Sequence, residues 1–347
     1  MAYSSIVKPS VYFNTKLYTG NGGTNAITGV GFQPDFNWLK NRSNTGEHIL
    51  VDAVRGMYNI RSNSTTAQSA NGSSHQQSLD SDGFTVAGTG ANSNANGNTF
   101  ASWNWKANGA GSANTDGSIT STVSANTTSG FSIVSYTGGG ASATIGHGLG
   151  VAPKMIIIKC TDSTDKWIVY HNSIGNTKYL VLNNTDAQTT DSAHFNNTSP
   201  TNSVFSVGTS GATSGNGQHF IAYCFAEKTG YSKFGSYVGN GNNDGTFVYT
   251  GFKPAWVMVK RADSASVWQI NDTKRDPYNK TTHTLFPHLS DAESATGWFV
   301  DYVSNGFKIR DTGTAVNASS GTYIYMAFAE EPLVANSGTD GVPATAR

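Results

Sequence analysis

Gly31-Phe32-Gln33-Pro34-Asp35-Phe36-Asn37-Trp38-Leu39-Lys40 decides how this chain is read, because the chain writes it three times. It returns as Gly150-Val151-Ala152-Pro153-Lys154-Met155-Ile156-Ile157-Ile158-Lys159, and again as Gly251-Phe252-Lys253-Pro254-Ala255-Trp256-Val257-Met258-Val259-Lys260. Proline cannot donate a ladder hydrogen bond, so it suits the first residue of a strand. The apolar run behind it is what a strand with at least one buried face needs. Each copy therefore predicts the core strand of a repeated module.

Four further landmarks recur in constant order around this strand. A tyrosine followed by glycine opens each copy (Tyr18, Tyr136, Tyr237), with the proline 16, 17 and 17 residues later. Eight residues beyond the lysine a second apolar run begins, at His48, Trp167 and Trp268. A short strand follows a turn at Gly83-Phe84, Val204-Phe205 and Gly306-Phe307, and an aromatic closing strand ends at Trp105, Phe225 and Phe328. Strands are short, turns are rich in Gly, Asn and Asp, and no long 3.6-residue period is present. The pattern predicts an all-β chain of three tandem, homologous antiparallel β-sandwich modules of about 100 residues each.

The boundaries follow: an N-terminal arm 1–10, module one 11–107, a linker 108–118, module two 119–229, module three 230–331 and a C-terminal arm 332–347. Ser118 to Ser124 alternates like a strand and can form a hairpin with Phe131-Ser132-Ile133-Val134. The short second junction predicts tighter packing between modules two and three than between one and two. Phe32, Trp38, Trp105, Ile157, Trp167, Phe225, Trp256, Trp268 and Phe328 are the expected structural core, with Phe100, Trp103, Phe220 and Tyr323 beside them as alternate residues of the closing strands.

Composition bounds the chemistry. Hydrophobic residues make up 37% of 347 residues, enough for real cores, and only 13% are charged. The 22 basic residues balance the 22 acidic ones, so no electrostatic footprint for nucleic acid exists. No run approaches a membrane-spanning length, and the first ten residues do not resemble a signal peptide. Cys160 and Cys224 lie in strand runs and are expected as buried thiols rather than a disulfide framework.

Candidate chemical motifs read mostly as structure. Gly138 to Gly146 follows a strand, but another strand comes next, whereas a phosphate cradle needs a helix N-terminus. No Gly-x-Ser-x-Gly elbow, His-Glu-x-x-His or Cys-x-x-Cys spacing occurs, although a Ser/His/Asp set could still assemble in space. Asp80, Asp82 and Asp244 could be Ca²⁺ ligands, yet Asp-Gly is more often a hairpin turn. Asp52 with Arg55, and Asp272 with Arg275, recur at equivalent places, where module two has His171 and Ile174. A shared active site would not be lost so casually, so an ion pair or an intermodule contact is expected. Lys40, Lys159 and Lys260 are expected to cover the core with their stems and carry their heads to water.

With these landmarks on the page, the chain resembles a family of virion structural, tail-fibre-like proteins from phages of marine bacteria. Its members carry tandem Tyr-Thr-Gly-x-Gly, Gly-Phe-x-Pro-x-x-x-x-x-Lys, Ser-x-Gly-Phe and a closing Phe-Ala-Glu. Here these are Tyr18 to Gly22, Gly31 to Lys40, Ser81 to Phe84, and Phe225-Ala226-Glu227 with Phe328-Ala329-Glu330. Module one departs at Trp103-Asn104-Trp105-Lys106-Ala107, and module two has Val151 for the Phe of Gly-Phe-x-Pro. The resemblance implies a non-enzymatic part of a virus particle, assembled in bacterial cytoplasm, with other virion proteins as partners and no catalytic residues or cofactor. From this come three expectations. The first is a surface-exposed appendage contacting host-surface glycan, without membrane insertion and as a homo-oligomer, expected trimeric. The second is a capsid or tail decoration protein bound to the particle itself, and the third a polysaccharide depolymerase.

Overall fold

The computed structural model describes residues 4–295 and 299–333. Each repeat builds a main antiparallel sheet and a smaller one. In module one the opening strand Phe13–Thr19, the closing strand Thr99–Trp105, the core strand Phe36–Asn41 and the second strand Ile49–Asp52 lie side by side in that order. Module two repeats the order with Phe131–Thr137, His219–Phe225, Met155–Cys160 and Ile168–His171, and module three with Ser232–Val238, Thr322–Pro332, Phe252–Arg261 and Trp268–Asp272. The small sheets hold Asn25–Thr28 with Gly83–Val86, Ala143–Gly146 with Val204–Val207, and Phe247–Tyr249 with Gly306–Ile309. Among the described residues no named strand of one module pairs with a strand of another.

The repeated motifs have local physical causes. The glycine of Gly-x-x-Pro sits in the left-handed region in all three copies, with φ of 91° at Gly31, 70° at Gly150 and 82° at Gly251. Such backbone costs a residue bearing a Cβ roughly 1–2 kcal/mol, which accounts for the glycine at this turn. Pro34 and Pro153 stand just before their core strands, whereas Pro254 lies inside its strand at a register shift, where the ladder is already broken. The opening tyrosine stacks on the first ring of the closing strand: Tyr18 on Phe100 at 5.0 Å, Tyr136 on Phe220 at 5.2 Å, Tyr237 on Tyr323 at 4.9 Å. Its hydroxyl donates to a carbonyl of the loop ahead of that strand, at Ser93, Thr213 and Val316.

The main sheets are buried on both faces, which explains their nearly continuous apolar runs. One face meets the small sheet of its own module. The other faces a core shared by all three modules, where Trp38, Trp103, Trp105, Ile157, Tyr223, Phe225, Trp256, Met326 and Phe328 belong to one buried cluster. At its heart the three equivalent closing-strand rings meet in a triangle. Trp105 and Phe225 are 6.3 Å apart, Phe225 and Phe328 6.1 Å, and Trp105 and Phe328 5.6 Å. Phe100, Phe220 and Tyr323 point the other way, toward the module cores, so the closing strand supplies two cores rather than one. Phe32, Trp167 and Trp268 are buried as well.

The modules therefore do not follow one another in a row; they close a ring. Equivalent backbone bonds join each pair of neighbours. The amide of Gln68 donates to Thr161, that of Gln188 to Ala262 and that of Glu293 to Arg42. Likewise Asp165 donates to Thr65, Ser266 to Thr185 and Gly46 to Ser290. The seam between modules one and two thus carries the same bonds as the seam between two and three, contrary to the expectation from junction length. The segment 108–118 is ordered too. Asp35 accepts bonds from Ala107 and Gly109, and Ser112–Asn114 adds an edge strand to module two. The hairpin of Ser121–Asn126 with Phe131–Thr137 forms beside it. Ile6, ahead of module one, is buried in the shared core. Residues 334–347 of the expected C-terminal arm lie outside the described residues.

Candidate functional site

The recurring acids sit on the seams of the ring. Asp52 pairs with Arg55 at 2.6 Å and accepts a bond from the Tyr223 hydroxyl of module two at 2.8 Å. Asp272 pairs with Arg275 at 2.5 Å and accepts from Trp103 Nε1 of module one at 3.0 Å. The third seam meets Met326, which occupies the place of Tyr223 and Trp103 but has no donor to offer. There the acid is replaced by His171. Its Nδ1 accepts from the Ser173 amide, so Nε2 carries the proton and donates to the Tyr325 carbonyl. Burial lowers His171 to a pKa of about 4, which keeps it neutral. The expected ion pair and intermodule contact both form at Asp52 and Asp272, and His171 is the same structural joint adapted to a different neighbour.

The second strand contributes a matching set. Trp167 Nε1 donates to the Arg61 carbonyl of module one, Trp268 Nε1 to the Val181 carbonyl of module two, and His48 Nε2 to the Phe286 carbonyl of module three. His48 is fixed in that tautomer by the Trp38 indole, which donates to Nδ1 at 2.8 Å. Burial, followed by the nearby Lys40, holds its pKa well below the ordinary value. Glu293 extends the seam between modules three and one by bridging Arg42 of module one and Arg275, each at 2.7 Å.

The three lysines do not reach water, contrary to expectation. Lys40, Lys159 and Lys260 are fully buried. Each Nζ donates to the carbonyl of the next residue: Asn41, Cys160 and Arg261. Each also faces a second carbonyl, of Ser290, Ser163 and Thr185 respectively. Burial lowers all three to a pKa of about 8. They are internal cations that cap loop carbonyls.

Other constellations are also engaged. Asp82 accepts the amides of Gly29 and Gly31, Asp80 accepts Thr85 Oγ1, and Asp244 pairs with Lys308. Among the described residues no group of three His, Cys, Asp or Glu side chains could hold a metal ion. Cys160 and Cys224 are buried free thiols. A Ser/His/Asp set does assemble: Ser210 Oγ lies 3.3 Å from His194 Nε2, and Asp191 lies 3.2 Å from Nδ1. The carboxylate is off the ring's donor direction, leaving Nδ1 without a hydrogen bond. Ser210 Oγ caps the Ala212 amide, and the Ser210 amide is bound to the Ala193 carbonyl. Ser210 Oγ and the Ser210 amide thus serve as a helix cap and a backbone tie at the start of the short helix Gly211–Ser214.

Among the described residues, four of the six exposed large hydrophobics belong to module three: Val238, Phe247, Tyr249 and Tyr278. Phe247 and Tyr249 on the outer face of its small sheet are 45% and 54% exposed, beside a cleft of about 200 Å³. Tyr249, Lys233, Glu227, Ser232 and Thr250 line that cleft. No signal in the sequence separated these rings from the core aromatics, because Phe247-Val248-Tyr249 alternates like any half-buried strand.

No curated protein and no solved structure matches the chain. A family model does match, over residues 8–332 and therefore over all three modules at once. The chain belongs to the family described as domain of unknown function DUF7483.

Proposed function

We propose that this is a non-enzymatic structural protein of a phage particle, surface-exposed in the manner of a tail-fibre or appendage protein and contacting glycan on the host surface. One observation carries the non-enzymatic half. Asp52, His171 and Asp272, which share one position in the three modules, are occupied in holding the ring together, and the recurring lysines are occupied by buried carbonyl contacts. The particle assignment rests on the resemblance of the tandem motifs to virion proteins. Sandwich rims with Asn, Asp and aromatic side chains suit sugars, and several copies on one particle multiply weak contacts. A homo-oligomer, including the expected trimer, is here an association of finished three-module bodies.

Closure of the ring favours a second reading, a decoration protein bound to the particle. A compact body suits a capsid or tail surface as well as a fibre tip. Labelling intact particles with an antibody against the chain separates the two. Label at the tip of an appendage, with binding of purified protein to host cells, supports the first. Uniform label over the capsid or tail tube, with no cell binding, replaces it by the second.

A further inference from the structure

Resting on the glycan reading just given, the geometry points to one site for it: the outer face of the third small sheet, with Phe247 and Tyr249 and the cleft beside them, binds a neutral glycan chain. The two rings lie against glycines. Phe247 Cε2 is 3.1 Å from where a Cβ on Gly306 would stand, and the Tyr249 hydroxyl is 3.6 Å from that of Gly251. With no side chain on the neighbouring glycines to cover them, both rings keep about half their surface in solvent, where a sugar's C–H face can stack. Tyr249 also forms one wall of the cleft, so a chain stacked on the rings has hydroxyl-binding partners in Lys233 and Glu227, whose paired side chains are about a third exposed there. An exposed apolar patch next to a few convergent polar groups is the usual composition of a small-ligand site.

Charge selects the class of glycan. Lys233 pairs with Glu227 at 2.7 Å, Lys308 with Asp244 at 2.5 Å, and Arg310 lies 3.6 Å from Asp301. Each cation around the rings has an acid beside it, so the face offers no surplus charge to a polyanion. The site is particular to module three. Ile27, Ile145 and Val248 are equivalent inward residues, each paired with a buried phenylalanine. The flanking outward positions are Ala26 and Thr28 in module one, and Thr144 and Gly146 in module two. In module two that face is also covered, since Ser118 bonds Thr144 and the Asn114 side chain lies against Gly146.

Electrophoresis of the full chain in native gels containing dextran, laminarin, mannan, galactan or alginate tests the assignment. Retardation by at least one neutral polysaccharide is expected. Phe247→Ala/Tyr249→Ala should weaken it roughly ten-fold, Tyr249→Ala alone should weaken it in part, and Tyr278→Ala, at an exposed ring outside the cleft lining, should retain it. Unchanged melting temperatures keep the comparison independent of folding. Retardation that survives in the double variant overturns the site and leaves the glycan reading standing elsewhere on the molecule. Retardation by alginate alone overturns the neutral class. No retardation by any of them, with no binding of the protein to host cells, overturns the glycan reading and the site together.

Discussion

Asp52, His171 and Asp272 occupy one position in three repeats, and each is chosen by the atom its neighbour presents. Arg275 and Asp272 have fully buried side chains, and Arg55 is nearly so. Breaking a buried pair leaves an uncompensated charge, so Asp272→Ala or Asp52→Ala should cost about 3–5 kcal/mol. Urea unfolding of the full chain measures this, and a loss under about 1 kcal/mol would refute the joint assignment. The titrating residues give a second test. His171 and His288 are lowered to about 4 in the fold. Between that value and an unfolded pKa near 6.5 the unfolded chain binds more protons, so stability falls as pH drops through this window. Lys40, Lys159 and Lys260 act with the same sign on the alkaline side. With folded pKa values of about 8, they favour the fold increasingly as pH rises toward 10. Buried tyrosines such as Tyr223 and Tyr237, raised by burial, oppose this at higher pH. The melting temperature should therefore rise between about pH 7.5 and 9.5, and Lys260→Met should remove about a third of that slope.

At the scale of the element, much was legible. Glycine before proline, tyrosine before glycine and the aromatic closing run each mark a backbone or stacking requirement met in all three modules. Gly150→Ala should cost roughly 1–2 kcal/mol, because its φ of 70° disfavours any residue with a Cβ. Tyr237→Phe should cost about 0.5–1.5 kcal/mol by freeing the Val316 carbonyl. Chemical denaturation reads both. The lysine heads were misjudged for a physical reason: a strand-end lysine normally finds water, and only the folded loops supply the carbonyls that hold it inside. What covers the second face of the main sheet is not legible in the sequence either. A continuous apolar run signals burial on two sides, but a sequence does not state that the second cover is another module.

At the scale of the molecule, the shared core makes the modules interdependent. Trp167→Ala and Trp268→Ala each remove a buried ring and a bond across a seam. Each should cost about 3–5 kcal/mol while leaving saccharide retention unchanged. Equal melting temperature with lost retention would reverse that assignment. Residues 119–229 produced alone would expose Phe131, Ile157, Tyr223 and Phe225. That fragment should lack fixed near-ultraviolet ellipticity and self-associate, whereas the whole chain should melt in a single transition.

The ring also changes what surface variation can accomplish. In an assembly of three identical subunits any altered side chain appears three times, and a tolerable change must suit every position at once. Here the copies are covalently joined and free to diverge. Phe247 and Tyr249 could therefore arise on one copy while Ala26, Thr28, Thr144 and Gly146 stayed small on the others. A threefold scaffold of this kind can carry a single distinctive surface patch, so the valency of any assembly it joins follows the number of chains rather than the symmetry inside each one.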